Sequence, residues 1–161
     1  MAKKTDKTEE DVQNICRNRR AAHEYHIFEV LECGIVLTGT EVKSLRDGTA
    51  NLEDAYARIT DREIWLIGSD IQEYAMGNRL NHKPKRPRKL LLHRREIEKF
   101  AGKASERGFT LVPLRMYFRK GRAKVELAVV RGKKVYDKRQ DQKKAEAQRE
   151  MRKAMAPRRS E

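Results

Sequence analysis

The chain has 161 residues, 38% hydrophobic and 39% charged, which suits one small core under a heavily charged surface, with tails. Lysine and arginine number 38 against 24 acids, a net charge of +14, so a polyanionic partner is predicted, either nucleic acid or an anionic membrane. No apolar run approaches the ~20 residues of a membrane span, and no apolar stretch follows the N-terminal lysines as in a secretory signal, so a soluble, cytoplasmic chain is expected.

Residues 1–13 are polar and charged and read as a disordered arm. From His23 to Leu31 the residues alternate, with Tyr25, Ile27 and Leu31 opposed to His26, Phe28 and Val30, the pattern of a strand covered on both faces. Ile35 to Leu37, between Gly34 and Gly39, is an apolar run too short for a helix and reads as a buried strand. Thr38 or Thr40 then caps a short helix with Glu41 in its first turn and Gly48 as its stop. Val42 and Leu45 share the face that plugs a sheet, and Lys43 and Arg46 share the face left to solvent.

Leu52–Ile59 and the run from Ile64 to about Ile71, separated by a polar turn, predict a hairpin. Met76–Lys89 holds Gly77, Pro84 and Pro87. Its cations Arg79, Lys83, Lys85, Arg86, Arg88 and Lys89 have no acid among them, so a long basic loop is expected. Leu90–Leu92 ends it, and Ile97, Phe100, Ala101 and Ala104 give an amphipathic helix over about His93–Arg107, stopped by Gly108. A second hairpin turns at Lys120-Gly121. Val112, Leu114, Met116 and Phe118 face inward, Arg115, Tyr117 and Arg119 outward, and Pro113 marks an edge or bulge; Val125, Leu127 and Val129 face inward on the return.

After Gly132 the chain carries eleven cations and five acids, with a thin apolar stripe of Ala145, Ala147, Met151, Ala154 and Met155. Such a segment is helix-prone but buries too little to fold alone, so it is expected to order on a partner. The predicted organisation is a disordered arm over 1–13, a body over 14–131 and a basic tail over 132–161. The predicted fold is mainly β: a small antiparallel β-barrel of about six strands, of oligonucleotide-binding type, with associated helices and a disordered or helical C-terminal tail.

No catalytic frame is present: there is no Gly-x-Ser-x-Gly, phosphate-cradling glycine loop or His-Glu-x-x-His. His23 with Glu24 and Glu41 is a weak acid–base set for an RNA-cleaving enzyme, and strand-edge or surface roles fit these residues better. Cys16 and Cys33 are too few for a disulfide framework and read as free thiols. With His23 and His26 they match no zinc spacing, and two histidines three apart on a strand face opposite ways. No metal or other cofactor is expected. The basic loop and tail suit phosphate contacts. Tyr25, Tyr56, Trp65, Tyr74, Tyr117 and Tyr136 are candidates for stacking on unpaired bases, Tyr56 and Trp65 being better read as core and Tyr136 having no core around it.

Asn18-Arg19-Arg20-Ala21, His23-Glu24-Tyr25, Gly39-Thr40-Glu41-Val42-Lys43-Ser44-Leu45-Arg46, Arg88-Lys89-Leu90-Leu91-Leu92, Arg95-Glu96-Ile97, Gly132-Lys133-Lys134 and Asp137-Lys138-Arg139 occur in this order. The ordered set resembles the small protein B family, the SsrA-binding proteins that partner transfer-messenger RNA, from about Asn18 to Arg139. The resemblance implies binding to the tRNA-like domain of that RNA and rescue of stalled ribosomes by trans-translation. The protein would mimic an anticodon arm, and its tail would enter the empty mRNA channel along small-subunit RNA. It implies RNA contacts at Glu32 and around Leu91 and His93, where some members carry Asn. Further contacts are implied in the motif residues Asn18, Arg19, Tyr25, Lys43, Arg46, Arg88 and Lys89. Gly132, Lys133, Lys134, Tyr136, Asp137, Lys138 and Arg139 would form the ribosome-binding tail, with Tyr136 at a position that varies between His and Tyr. Neither an enzyme, a DNA partner nor a membrane is implied. A structural ribosomal protein and an RNA-processing enzyme are the rival readings.

Overall fold

The structure, a computed structural model, describes residues 12–156. The predicted arm over 1–13 lies outside them except at its end, where Val12 and Gln13 belong to a strand, β1 (Val12–Arg17). A single helical turn, α1 (Ala21–Glu24), leads into the long strand β2 (Tyr25–Ile35). His23 is therefore helical and not on a strand as expected. Helix α2 (Gly39–Arg46) follows, and its end at Arg46, two residues before Gly48, matches the sequence reading.

The stretch Leu52–Ala55, expected in a strand, is turn and coil between β3 (Ala50–Asn51) and β4 (Tyr56–Thr60). Strand β4 forms the predicted hairpin with β5 (Glu63–Ile67). The expected continuation to Ile71 breaks at Gly68, where φ is +79° and a Cβ would stand 2.8 Å from the Asp54 carbonyl oxygen. Beyond it, β6 (Asp70–Ile71) pairs with β3. The basic loop contains a 3-10 turn (Asn78–Leu80) and ends earlier than expected, because Arg88 and Lys89 begin strand β7 (Arg88–Leu91). Helix α3 (Arg94–Ala104) sets Phe100 wholly into the core. Strands β8 (Phe109–Arg119) and β9 (Arg122–Gly132) form the second hairpin, and α4 (Val135–Met155) completes the described chain.

Nine strands are described where about six were expected, and the chain is mainly β with a C-terminal helix. Strand β8 pairs with β9 along one edge and with β4 and β1 along the other, so neighbours run β8-β4-β5-β7-β2-β9 and return to β8. The side chains inside this ring, among them Cys33, Leu66, Leu90, Met116 and Val125, form the main core. A second cluster of Ala21, Val112, Ala128 and Val130, with Tyr25 and Leu114 against it, lies on the opposite face of β8 and β9. Coverage on both faces explains why Leu127–Val130 is buried without alternation. The predicted irregularity near Pro113 is present: the β8–β9 register shifts between Pro113 and Arg115. The β2–β9 register shifts likewise between Ile27 and Glu29, which reverses the expected alternation after Phe28.

Candidate nucleic-acid interface

Two polar clusters separate cations that hold the fold from cations that face outward. The first begins at α2. Thr38 and Glu41 form a capping box, with the Thr38 N–H donating to Glu41 Oε2 at 2.9 Å. Glu41 is also completely buried. Arg86 donates to it through Nε at 2.8 Å and Nη2 at 2.7 Å, and Arg88 through Nε at 2.9 Å. Burial pushes the Glu41 carboxyl up, but the bonds from Arg86 and the Thr38 N–H, with the Arg88 charge, outweigh it and hold it below the usual carboxylate range. Arg88, also 0% exposed, donates further to the Ser69 carbonyl and hydroxyl and to the Pro84 carbonyl, each at 2.9 Å. Arg88 thus joins α2 to the basic loop and has no face to offer RNA, contrary to the sequence expectation. Nor is Glu41 free to act as a base beside His23.

Asn18 is likewise turned inward. Its Nδ2 donates to the Leu52 and Pro113 carbonyls at 3.2 Å, and its Oδ1 accepts from the Ala21 N–H at 3.1 Å. That geometry seats α1 on β8, so Asn18 is a buried anchor and not an exposed contact. Lys89 pairs with Glu63 at 2.5 Å. Lys43 and Arg46 are exposed as expected, with Lys43 Nζ 5.4 Å from the Tyr74 ring centre. Arg19 is exposed, and Tyr25 is half-buried against the second core cluster.

The second cluster lies on the outer face of β2, β9 and β8. Tyr117, expected to face out, is buried beneath two guanidinium groups, Arg115 at 4.7 Å and Arg119 at 5.4 Å from its ring centre. Its hydroxyl donates to Glu32 Oε2, as does Arg119 Nη1. Burial, and then the hydrogen bond to Glu32, push the phenol up, so it keeps its proton and remains a donor. The other oxygen, Glu32 Oε1, has Lys124 Nζ at 3.9 Å. It retains lone pairs for a base amino group in the midst of cations suited to phosphate. Gly34 pairs with both Lys124 and Leu91, and a Cβ there would come within 3.1 Å of Leu91. The close approach brings Leu91, 51% exposed, into a groove of about 430 Å³ with Lys124 and Arg122. His93 follows at the N-cap of α3, exposed, its N–H bonded to Glu96 at 2.9 Å. Glu32, Leu91 and His93 were singled out in the sequence. Tyr117 was a candidate there only for base stacking, and Arg119 and Lys124 were not candidate contacts, although alternation about Lys120-Gly121 places all three on one face.

The tail departs at Gly132. The Lys133 N–H bonds the Glu24 carbonyl at 2.8 Å, and its Nζ reaches the Ala22 carbonyl at 3.0 Å and Asp141 at 2.5 Å. Asp137 lies 3.4 Å from His26 Nε2. Lys134 caps α4, Tyr136 is 69% exposed with its hydroxyl accepting from Gln140, and Lys138 and Arg139 lie on the same first turns. No residue of α4 is buried. Burial pushes the Cys16 thiol up to about 11 and the Cys33 thiol up to about 12, so neither is a nucleophile near neutrality. Among the described residues no helix is long and apolar enough to cross a membrane.

A family model described as SmpB protein matches residues 15–157. An SsrA-binding protein of Desulforudis audaxviator (strain MP104C) is 55% identical over 154 residues, covering 96% of this chain and 97% of its own. One of Thermobifida fusca (strain YX) is 57% identical over 157 residues, covering 98% of each chain. A solved structure described as "tmRNA-SmpB: a journey to the center of the bacterial ribosome" superposes with a TM-score of 0.64 at 48% identity, over 74% of this chain and 85% of that one.

Proposed function

The chain belongs to the SmpB family of SsrA-binding proteins, and from that premise we propose that it binds the tRNA-like domain of transfer-messenger RNA and brings it to stalled ribosomes for trans-translation. The observation that carries this reading is the family match across residues 15–157. Its surface chemistry agrees with a binding factor rather than an enzyme, working in the cytoplasm. The ring of strands is proposed to be an oligonucleotide-binding-type barrel spanning 14–131, in the position of an anticodon arm. The segment 132–161 is its tail in the mRNA channel.

The RNA contacts are proposed at Glu32, Leu91, His93, Arg19, Lys43 and Arg46, with Arg119 and Lys124 added by the geometry of the Glu32 cluster. Glu32 Oε1 accepts from a base amino group, and the surrounding cations hold phosphates. In a gel-shift titration with the isolated tRNA-like domain, Glu32→Gln is expected to weaken binding about tenfold, the low end of the ~1–3 kcal/mol of a good base contact. Affinity equal to the parent's removes Glu32 from the site. In the tail, Lys138 and Arg139 meet ribosomal phosphate, and Tyr136 adds base stacking of roughly 1–3 kcal/mol. Truncation after Lys134 should leave binding to the tRNA-like domain within a few-fold and abolish peptide tagging. Normal tagging by the truncated protein rejects that role for the tail. A structural ribosomal protein would instead sit on all ribosomes alike, so enrichment on ribosomes stalled without a stop codon separates the two.

A further inference from the structure

Beside the Glu32 cluster lies a groove in whose lining the sequence motifs single out only Asn18 and Arg19, and Asn18 is turned inward. The groove has a volume of about 460 Å³, within the ~300–1,000 Å³ range of small-molecule sites. Its walls are α1, with the turn before it, and the outer face of β8 and β9. Both strands flanking β9 bulge here, and a bulge re-aims side chains. Ile27, beside the β2 bulge, is 42% exposed and lines the groove, as does Leu114 at the β8 bulge. Arg17 and Arg19 stand at its lip, both exposed, and neither takes part in an ion pair among the described residues. The one acid in the lining, Glu126, is already paired with Arg115 at 2.5 Å. An apolar floor below two free guanidinium groups matches the two halves of a nucleotide, base and phosphate.

The groove also shares a face with the Glu32 cluster. Glu126 is the register partner of Glu32, and Arg115 stacks on the Tyr117 ring that donates to Glu32. RNA seated at Glu32 can continue into it without leaving the surface. By contrast, the groove between α3 and β4 is lined by Ala57, Ile59, Ala101, Phe109 and their neighbours with no charged side chain, and offers nothing to phosphate.

We infer that this groove receives one unpaired nucleotide of the RNA bound at Glu32, its base on Ile27 and Leu114 and its flanking phosphates at Arg17 and Arg19. The inference rests on the proposed RNA-binding function. The test is titration of the full chain with a transcribed tRNA-like domain at several salt concentrations. Ile27→Ser should weaken binding five- to tenfold with an unchanged salt slope, since no charge is removed. Arg17→Gln should lower the slope by about 0.7, the single-strand increment per phosphate. Ala22→Phe, which fills the groove from the exposed side of α1, should reproduce the weakening by Ile27→Ser without touching the core. A photo-crosslinking side chain at position 27 should capture a single unpaired nucleotide. If Glu32→Gln weakens binding while all three groove variants bind like the parent, the groove inference is overturned and the function stands. If the parent itself does not bind this RNA, both fall.

Discussion

The loop from Arg79 to Lys89 and the helix α4 are two cation-rich stretches of the chain, and the fold uses them in opposite ways. In the loop and the start of β7, three of six cations are turned toward acids that lie far off in sequence. Arg86 and Arg88 bind Glu41, 45 and 47 residues away, and Lys89 binds Glu63. Arg79, Lys83 and Lys85 remain exposed. Along α4 nothing is buried, and among the described residues its side-chain polar ties to the body come from Lys133 and Asp137 at its start. A basic run is therefore not one kind of object. A cation beside a buried carboxylate fixes the backbone, and a cation without one is available to a polyanion.

The largest effect should come from breaking the inward half of this comparison. Arg88→Ala leaves Glu41 buried with half its guanidinium partners, and removing one member of a buried pair costs about 3–5 kcal/mol. Urea denaturation should show that cost as a lower midpoint. A change below about 1 kcal/mol would mean that the loop is not held through Arg88.

Acid should act on the same pair. The Glu41 carboxyl titrates lower in the folded chain than in the unfolded one, so the unfolded state binds the extra proton. Its contribution is complete above the ordinary glutamate range and is lost as pH falls through the depressed folded value. Melting temperature followed downward from neutrality should fall more steeply in the parent than in Glu41→Gln, which starts lower and lacks that titration. Parallel acid limbs would reject Glu41 as the source.

A smaller effect is expected from the outward half of the loop. Replacing Lys83 and Lys85 with Gln should leave stability alone and reduce the salt slope of RNA binding by about 0.7–0.9 for each phosphate no longer neutralised. Adding Arg88→Ala to such a set, as the sequence alone would suggest, would mix unfolding with weaker phosphate binding. An unchanged slope in the double variant assigns this loop to the ribosome.

The smallest change should follow removal of the other basic stretch. Among the described residues, truncation after Lys134 removes no buried side chain, so the melting temperature should not move measurably. A clear drop would show that α4 supports the body, and the contrast between the two regions would fail.

What the chain determined by itself was what its local chemistry could settle. The hairpins around Asp61-Arg62 and Lys120-Gly121, the capped helices after Thr38 and His93, and the Gly132 boundary all rest on residues within a few positions of one another. The ordered motifs from Asn18 to Arg139 carried the family in the same way. Tertiary structure alone decided which polar residues face inward. Asn18 was expected as an RNA contact from its motif, and Arg88 from its motif and the acid-free basic run, yet each finds buried acceptors 19 or more residues away. Tyr117 and Glu32 are 85 residues apart, and only the pairing of β2 with β9 and of β9 with β8 brings them within hydrogen-bonding reach. The cost of an unpaired buried polar group forces such partners together. A pattern of residue types along the chain marks a group as polar, but does not name the distant partner that decides where it points.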